Sequence, residues 1–236
     1  MEVGEALGIR RRTYALVTWR KAGPLRFLGH LDVARTFDRA VRRARLPVVY
    51  SRGFSPSAHL SFADALPVGV AADNELCLIE LERPMSAVAV HAALAPQMPT
   101  GLEVADVRVL RGQEGKLLSQ LSRAEYEIEL RPSAEVPTEA LREAIRLVRE
   151  AGDLPVVRET KRHRRELDIR PHIYALHMTG PDPEDAAVRI RMSLGFGQDR
   201  LVKPTEVLAC LARQVGALTG KQIQIQPRLI RRLGVH

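Results

Sequence analysis

The chain is poor in cysteine and in aromatic side chains, and it has no long apolar run. Its two cysteines, Cys77 and Cys210, are too few for an iron–sulfur cluster or a disulfide framework. Both sit in apolar contexts, ELCLIELE and EVLACLARQVG, and read as core thiols of a protein from a reducing cytosol. No stretch approaches the roughly 18 apolar residues of a membrane-spanning helix. The opening MEVGEALGIRRRT lacks the apolar segment of a signal peptide. A cytoplasmic protein without a membrane partner is expected. Aromatics are only 4% of the residues, so the core must be built from Leu, Val, Ile and Ala. Chemistry-bearing motifs are also scarce. There is no phosphate-binding glycine loop ending in Lys-Ser/Thr, no nucleophile elbow, and no carboxylate–histidine set at zinc spacing. Neither a metal nor a cofactor is expected.

What the chain does have is arginine. Its 36 basic residues outnumber 28 acidic ones for a net charge of +8, and most of the basic residues are arginine. That surplus points to a polyanionic partner, nucleic acid before acidic membrane. Guanidinium groups suit phosphate and base stacking better than simple solubility.

Periodicity orders the chain into two similar halves. Thr13 to Arg20 (TYALVTWR) reads as a strand and His30 to Arg45 as a helix. In that helix Val33, Phe37, Ala40, Val41 and Ala44 fall on one side, and Arg35, Arg39, Arg42 and Arg43 on the other. A second strand is expected from Pro47, resuming at Leu60 to Val70. Ala71 to Asn74 is read as a turn into a strand at Glu75 to Glu82. Ser86 caps an alanine-rich helix that ends before Pro96, and Leu102 to Leu110 closes the half as a strand. This is the β-α-β-β-α-β order of a ferredoxin-like unit.

The second half repeats the order. Tyr126, Ile128 and Leu130 alternate with glutamates in a strand, and Thr138 caps a helix to Ala151. Strands are expected from Leu154, across Val188 to Leu194, and over Gln222 to Gln226, with a helix from Pro204 to Val215 before Gly216. The tetrapeptide Leu46-Pro47-Val48-Val49 recurs after the second half's first helix as Leu154-Pro155-Val156-Val157. Recurrence at the same place in the same element order supports an internal duplication. The expected fold is therefore α+β, two tandem ferredoxin-like (βαββαβ) domains with antiparallel sheets. Its parts are a flexible tail at 1–12, domains at 13–111 and 123–236, and a linker at 112–122. A single larger α+β sandwich is the alternative.

Three features are candidates for binding. The first is the arginine face of the His30–Arg45 helix, extended by Arg26 and Arg52, with Asp38 the one acid between Arg35 and Arg52. The second is the loop YSRGFSPSAHLSFADALPVG, Tyr50 to Gly69. Phe54 and Phe62 in it would either stack on unpaired bases or anchor the loop in the core. His59 there would contact phosphate. The third is RETKRHRRELDIRPHI, Arg158 to Ile173, where Lys161, Arg162, Arg164 and Arg165 surround His163 and Arg170 follows. It is expected at the same β2–β3 position in its half as Tyr50–Gly69 in the other. No catalytic residue is required by this reading; were the protein a nuclease, His30 and His59 would be the candidates. His172 and His177 are expected on one strand, facing opposite sides.

The stretch Pro24 to Gly69, PLRFLGHLDVARTFDRAVRRARLPVVYSRGFSPSAHLSFADALPVG, closely resembles the opening motif of a bacterial family of radical-SAM-associated proteins of unknown function. ELDIRPHI, Glu166 to Ile173, is similar to that family's second motif, with Gly29, Ala58 and His172 departing from the pattern. The resemblance runs from about Thr13 over nearly the whole chain. It implies a companion, alone or fused, of a cobalamin (B12)-binding radical SAM enzyme. The chain lacks the three-cysteine cluster motif and cannot run that chemistry itself. With the basic surface, the expectation is a non-catalytic accessory that binds RNA, either tRNA or rRNA. The alternatives are a metal-independent endoribonuclease resembling CRISPR repeat-cleaving enzymes, and a pure protein-docking module. Oligomeric state is open.

Overall fold

The structure, a computed structural model, describes residues 12–131, 136–159, 164–179, 188–197 and 201–236. The expected tail lies outside these residues except for Arg12. The chain divides into two compact units, Met1–Leu121 and Ser122–His236. The class is mixed α+β, with antiparallel strand pairing and, among the described residues, four α-helices.

The first unit contains β1 (Thr13–Lys21), α1 (His30–Arg43), β2 (Leu60–Phe62), β3 (Val70–Leu81), α2 (Ala87–Leu94) and β4 (Leu102–Arg111). Its strands run in the order β4-β1-β3-β2. Alternation sends Ala15, Val17 and Trp19 of β1 and Cys77, Ile79 and Leu81 of β3 to one face of the sheet. There they meet Val33, Phe37, Ala40 and Val41 of α1, with Val90 and Leu94 of α2. The helix stripe read from the sequence is this buried face. Ser86 caps α2 as expected, its Oγ accepting from the Ala89 N–H at 3.2 Å.

Two expectations for this half are corrected. The second strand does not start at Pro47. Val48 only bridges to Leu81, and ladder pairing is confined to Leu60–Phe62. Ala71 to Asn74 is not a turn but the start of β3, where buried Ala72 pairs with Lys21 across a register shift in β1. The chain reversal falls earlier and ends at Gly69, whose φ of +86° favours glycine.

The second unit contains β5 (Arg123–Leu130), α3 (Thr138–Glu150), β6 (Pro155–Glu159), β7 (Arg164–Asp168), β8 (Ile173–Thr179), β9 (Arg189–Gly195), α4 (Pro204–Thr219) and β10 (Pro227–Val235). One sheet runs β10-β5-β9-β8, and β6-β7 is a separate two-stranded hairpin. With that hairpin set aside, each unit is strand, helix, two strands, helix, strand, and each sheet runs last, first, third, second.

Here the corrections are larger. Arg158–Ile173 does not occupy a β2–β3 connection; it takes in the end of β6, β7 and the turn leading into β8, so that it lies between α3 and β8. Thr138 is the first residue of α3, not its cap, and Pro137 stands at the N-cap. Helix α4 passes Gly216 and ends at Gly220, whose φ of +66° supplies the left-handed stop. Position 216, inside the helix, requires glycine because a Cβ there would sit 2.9 Å from the Lys221 carbonyl oxygen. Gln222–Gln226 belongs to no strand; the last strand is β10, paired with β5. His172 sits in a 3-10 turn, Arg170–His172, and only His177 is on a strand.

Candidate nucleic-acid interface

Helix α1 enters from Gly29 and carries its charges in favourable positions, with Asp32 in the first turn and Arg42 and Arg43 in the last. The arginine face is exposed but mixed in sign. Arg35 pairs with Asp32 at 3.4 Å, both exposed, a contact of little energetic weight. Arg43 donates to the Gln97 carbonyl at 2.5 Å, tying the helix end to the segment after α2. The Arg39 and Arg52 side chains have no hydrogen-bond or ion-pair partner among the described residues.

Asp38 and Arg42 work as a clamp. Arg42 Nε donates to Asp38 Oδ2 at 2.8 Å, its guanidinium also donates to the Pro56 carbonyl, and it lies over the Tyr50 ring at 4.6 Å. Asp38 Oδ1 accepts the Ala58 N–H at 2.8 Å. Partial burial pushes the Asp38 carboxyl up. The hydrogen bonds from Arg42 and Ala58, with the Arg42 charge, outweigh it and hold the group below the usual carboxylate range. A carboxyl lowered on folding stabilises the fold above its unfolded value, near ~3.9, and loses that contribution as pH falls through the lower folded value.

The clamp docks a closed loop on the helix. Tyr50 bridges Ala58, the Ser51 N–H donates to the Ser57 carbonyl at 2.8 Å, and Ser51 Oγ accepts from the Ser57 N–H at 3.0 Å. The tip is Arg52-Gly53-Phe54-Ser55-Pro56, with Gly53 at φ +127°. The two phenylalanines of Tyr50–Gly69 part company here. Phe54 is fully exposed. Phe62 packs edge-on against Trp19, Phe37 and His30, at ring separations of 6.1, 5.4 and 5.4 Å. Phe62 is therefore a core anchor, and His30 is committed to packing on it. Beside the loop's far end Arg26 lies over the exposed Phe27 ring at 4.6 Å, and its carbonyl accepts from the Gly69 N–H at 2.9 Å.

His59 belongs to a different surface. Leu60 points with Ile79 into the core beneath α1, so His59 and Glu80 point to the opposite face of the sheet. There His59 Nδ1 lies 3.1 Å from Glu80 Oε2, and Arg12 Nε lies 3.6 Å from Glu80 Oε1. Arg12, Glu80, Glu82 and Arg83 line a cavity of about 830 Å³ at this edge. The sheet separates this group from the α1 arginines. Arg12 and Glu80 were not singled out from the sequence. Glu80 occupies an ordinary alternating strand, and only the register opposite His59 reveals it.

In the second unit most of the expected cationic cluster is absent from the described surface or engaged. Lys161, Arg162 and His163 lie outside the described residues. Arg164 pairs with Glu159 at 3.4 Å, both exposed. Arg165 is exposed on β7, across from Arg158. Arg158 makes a two-pronged contact with Glu206, both arms at 2.7 Å, and reaches the Leu201 carbonyl at 2.6 Å. Arg170 caps α3: its guanidinium donates to the carbonyls of Arg149, Ala151 and Ile173. Asp168 accepts from the Leu154 N–H at 2.8 Å and the Arg170 N–H at 2.9 Å, which lowers its carboxyl. The ELDIRPHI motif is thus a knot joining helix end and hairpin, and Arg170 is removed from the phosphate-binding set.

The candidate surface is thus an exposed cationic helix face clamped to an aromatic-tipped loop, on an antiparallel α+β scaffold. The chain belongs to a family of uncharacterized proteins conserved in bacteria, DUF2344, whose model matches residues 15–204. No curated protein matches it. Among solved structures, a chain in the crystal structure of a Cbf5–Nop10–Gar1 complex is similar, with 12% sequence identity and a TM-score of 0.48. The match covers 92% of this chain and 47% of that one, so this chain spans about half the length of its structural neighbour. Among the described residues no helix is long and apolar enough to cross a membrane.

Proposed function

We propose that the protein is a non-catalytic accessory of a cobalamin-binding radical SAM enzyme and that it holds RNA, of the tRNA or rRNA type, on its α1 surface. The observation that carries the RNA reading is the residual positive charge there. Asp38 is spent on Arg42 and the Ala58 N–H, while Arg39 and Arg52 stand exposed without partners among the described residues. The radical SAM partnership rests on the sequence motifs alone. The shared strand order and the repeated Leu-Pro-Val-Val support reading the two units as tandem ferredoxin-like repeats.

A salt series tests the RNA reading. Binding of the purified protein to short RNAs should weaken linearly in log–log form, with a slope of about −2 to −3 if three or four phosphates are neutralised. Affinity that ignores salt would remove the electrostatic basis of the proposal.

A second reading, metal-independent RNA cleavage, is favoured by the His59–Glu80 contact. A carboxylate only accepts, so in this contact Nδ1 is the donor, and Nε2 is the ring nitrogen not engaged by Glu80. It predicts cleavage of bacterial RNA in excess chelator, abolished by His59→Ala and slowed by Glu80→Gln. Intact RNA after prolonged incubation with wild-type protein rejects this reading.

A further inference from the structure

Phe54 is the most exposed large apolar side chain beside α1, more so than Phe27 and Leu31, and charge does not explain it. It is fully exposed at the tip of the Ser51–Ser57 loop, whereas Phe62, eight residues on in the same segment, is packed against three rings. The neck of the loop is fixed by the Ser51–Ser57 and Tyr50–Ala58 contacts and by Asp38 and Arg42 from the helix. Its side chain is presented by a closed, braced loop whose shape does not depend on the ring.

We propose that Phe54 is a stacking platform for an unpaired base, so that the RNA is engaged at a single-stranded or bulged nucleotide and not along a duplex. This rests on the RNA reading above. Three features select a nucleotide as the occupant. The tip carries a cation, Arg52, and no acidic residue lies between Ser51 and Ser57. Asp38, the acid that contacts the base of the loop, already accepts from Arg42 and the Ala58 N–H. A ring without hydrogen-bonding groups beside free guanidinium matches a base face joined to a phosphate, the pairing used in single-strand recognition. Bases inside a duplex are already stacked on each other and offer Phe54 no free face.

The experiment compares a 12-nucleotide single strand with the duplex of the same sequence. The Phe54→Trp variant adds an exposed fluorophore to a chain whose one tryptophan, Trp19, is buried. The single strand should quench the added emission; the duplex should leave it largely unchanged, and so should either RNA with the wild-type protein. Phe54→Ala should weaken single-strand binding by about tenfold while leaving the salt slope unchanged, because stacking releases no counterions. The side chain is fully exposed among the described residues, so a wild-type melting temperature is expected and serves as the fold control.

Wild-type affinity of Phe54→Ala, or equal quenching by the duplex, overturns the stacking role and leaves the arginine reading intact. Absence of RNA binding by the wild-type protein at low salt overturns both. A loss in Phe54→Ala that appears only in binding to a protein partner, with RNA affinity unchanged, makes the tip a protein contact and likewise rejects the proposal.

Discussion

Changing Arg35 and Arg39 together to glutamate should weaken RNA binding by about a hundredfold, or ~2.8 kcal/mol. Each reversal removes two units of charge, so the pair takes the chain from +8 to +4. That general loss must be separated from the loss of a specific face. The comparison is Arg142→Glu with Arg149→Glu, an identical charge change on α3 in the other unit. Arg142 already pairs with Glu139 at 2.5 Å on an exposed helix, where acids balance the arginines. The α3 pair should cost severalfold at most, through long-range attraction that salt screens. The α1 pair should also flatten the salt slope by about one to two, because each lost phosphate contact removes about 0.7 for a single strand. Equal losses from both pairs would reduce the α1 surface to one part of a generally basic protein.

Arg42 is left out of that test on purpose. It joins Asp38, the Pro56 carbonyl and the Tyr50 ring, and its reversal would free the loop as well as change the charge. Arg35 and Arg39 carry no such duty. The exposed Arg35–Asp32 contact is worth little, and the like-charge pairs created on the exposed helix face cost about 0.2–0.5 kcal/mol each.

The largest effect on stability is expected from Phe37→Ala. Phe37 is fully buried on α1, 5.3 Å ring to ring from Trp19 and 5.4 Å from Phe62. Truncation removes both edge-to-face contacts and opens a void where close-packed neighbours relax only in part, costing about 3–5 kcal/mol. At about 2–4 °C per kcal/mol for a chain of this size, the melting temperature should fall by about 10 °C or more. Phe37→Leu keeps most of the volume and should recover much of the loss. A melting temperature within a degree or two of wild type in Phe37→Ala would mean that this aromatic group does not hold the first unit's core together.

Helix α1 was legible in the sequence because its apolar residues recur at helical spacing over four turns, and nothing downstream can alter that period. The Ser86 cap was legible for a similar reason, since donor and acceptor lie three residues apart. The last strand was not. Gln222–Gln226 alternates cleanly, while β10 contains Arg231 and Arg232 where a core strand should be apolar. Arg232 is nevertheless buried, because the register against β5 decides what that position meets. Arg170 shows the same limit within the site. An arginine that caps a helix and one that meets phosphate are the same letter, and only the end of α3, twenty residues earlier, tells them apart. Phe54 and Phe62 share one loop without a period to separate them. What assigns Phe62 inward is β2, three residues long and invisible without its partner β3.

The closed neck of the Ser51–Ser57 loop makes its tip a replaceable cassette. The contacts that close the loop and hold it on α1 use Tyr50, Ser51, Ser57, Ala58 or the backbone of Pro56, and among the described residues none uses the side chains of Arg52, Phe54 or Ser55. Those positions can be exchanged as a block, in a display library or a graft, while the scaffold beneath them keeps its packing. What this surface recognises can therefore be redesigned separately from how the protein folds.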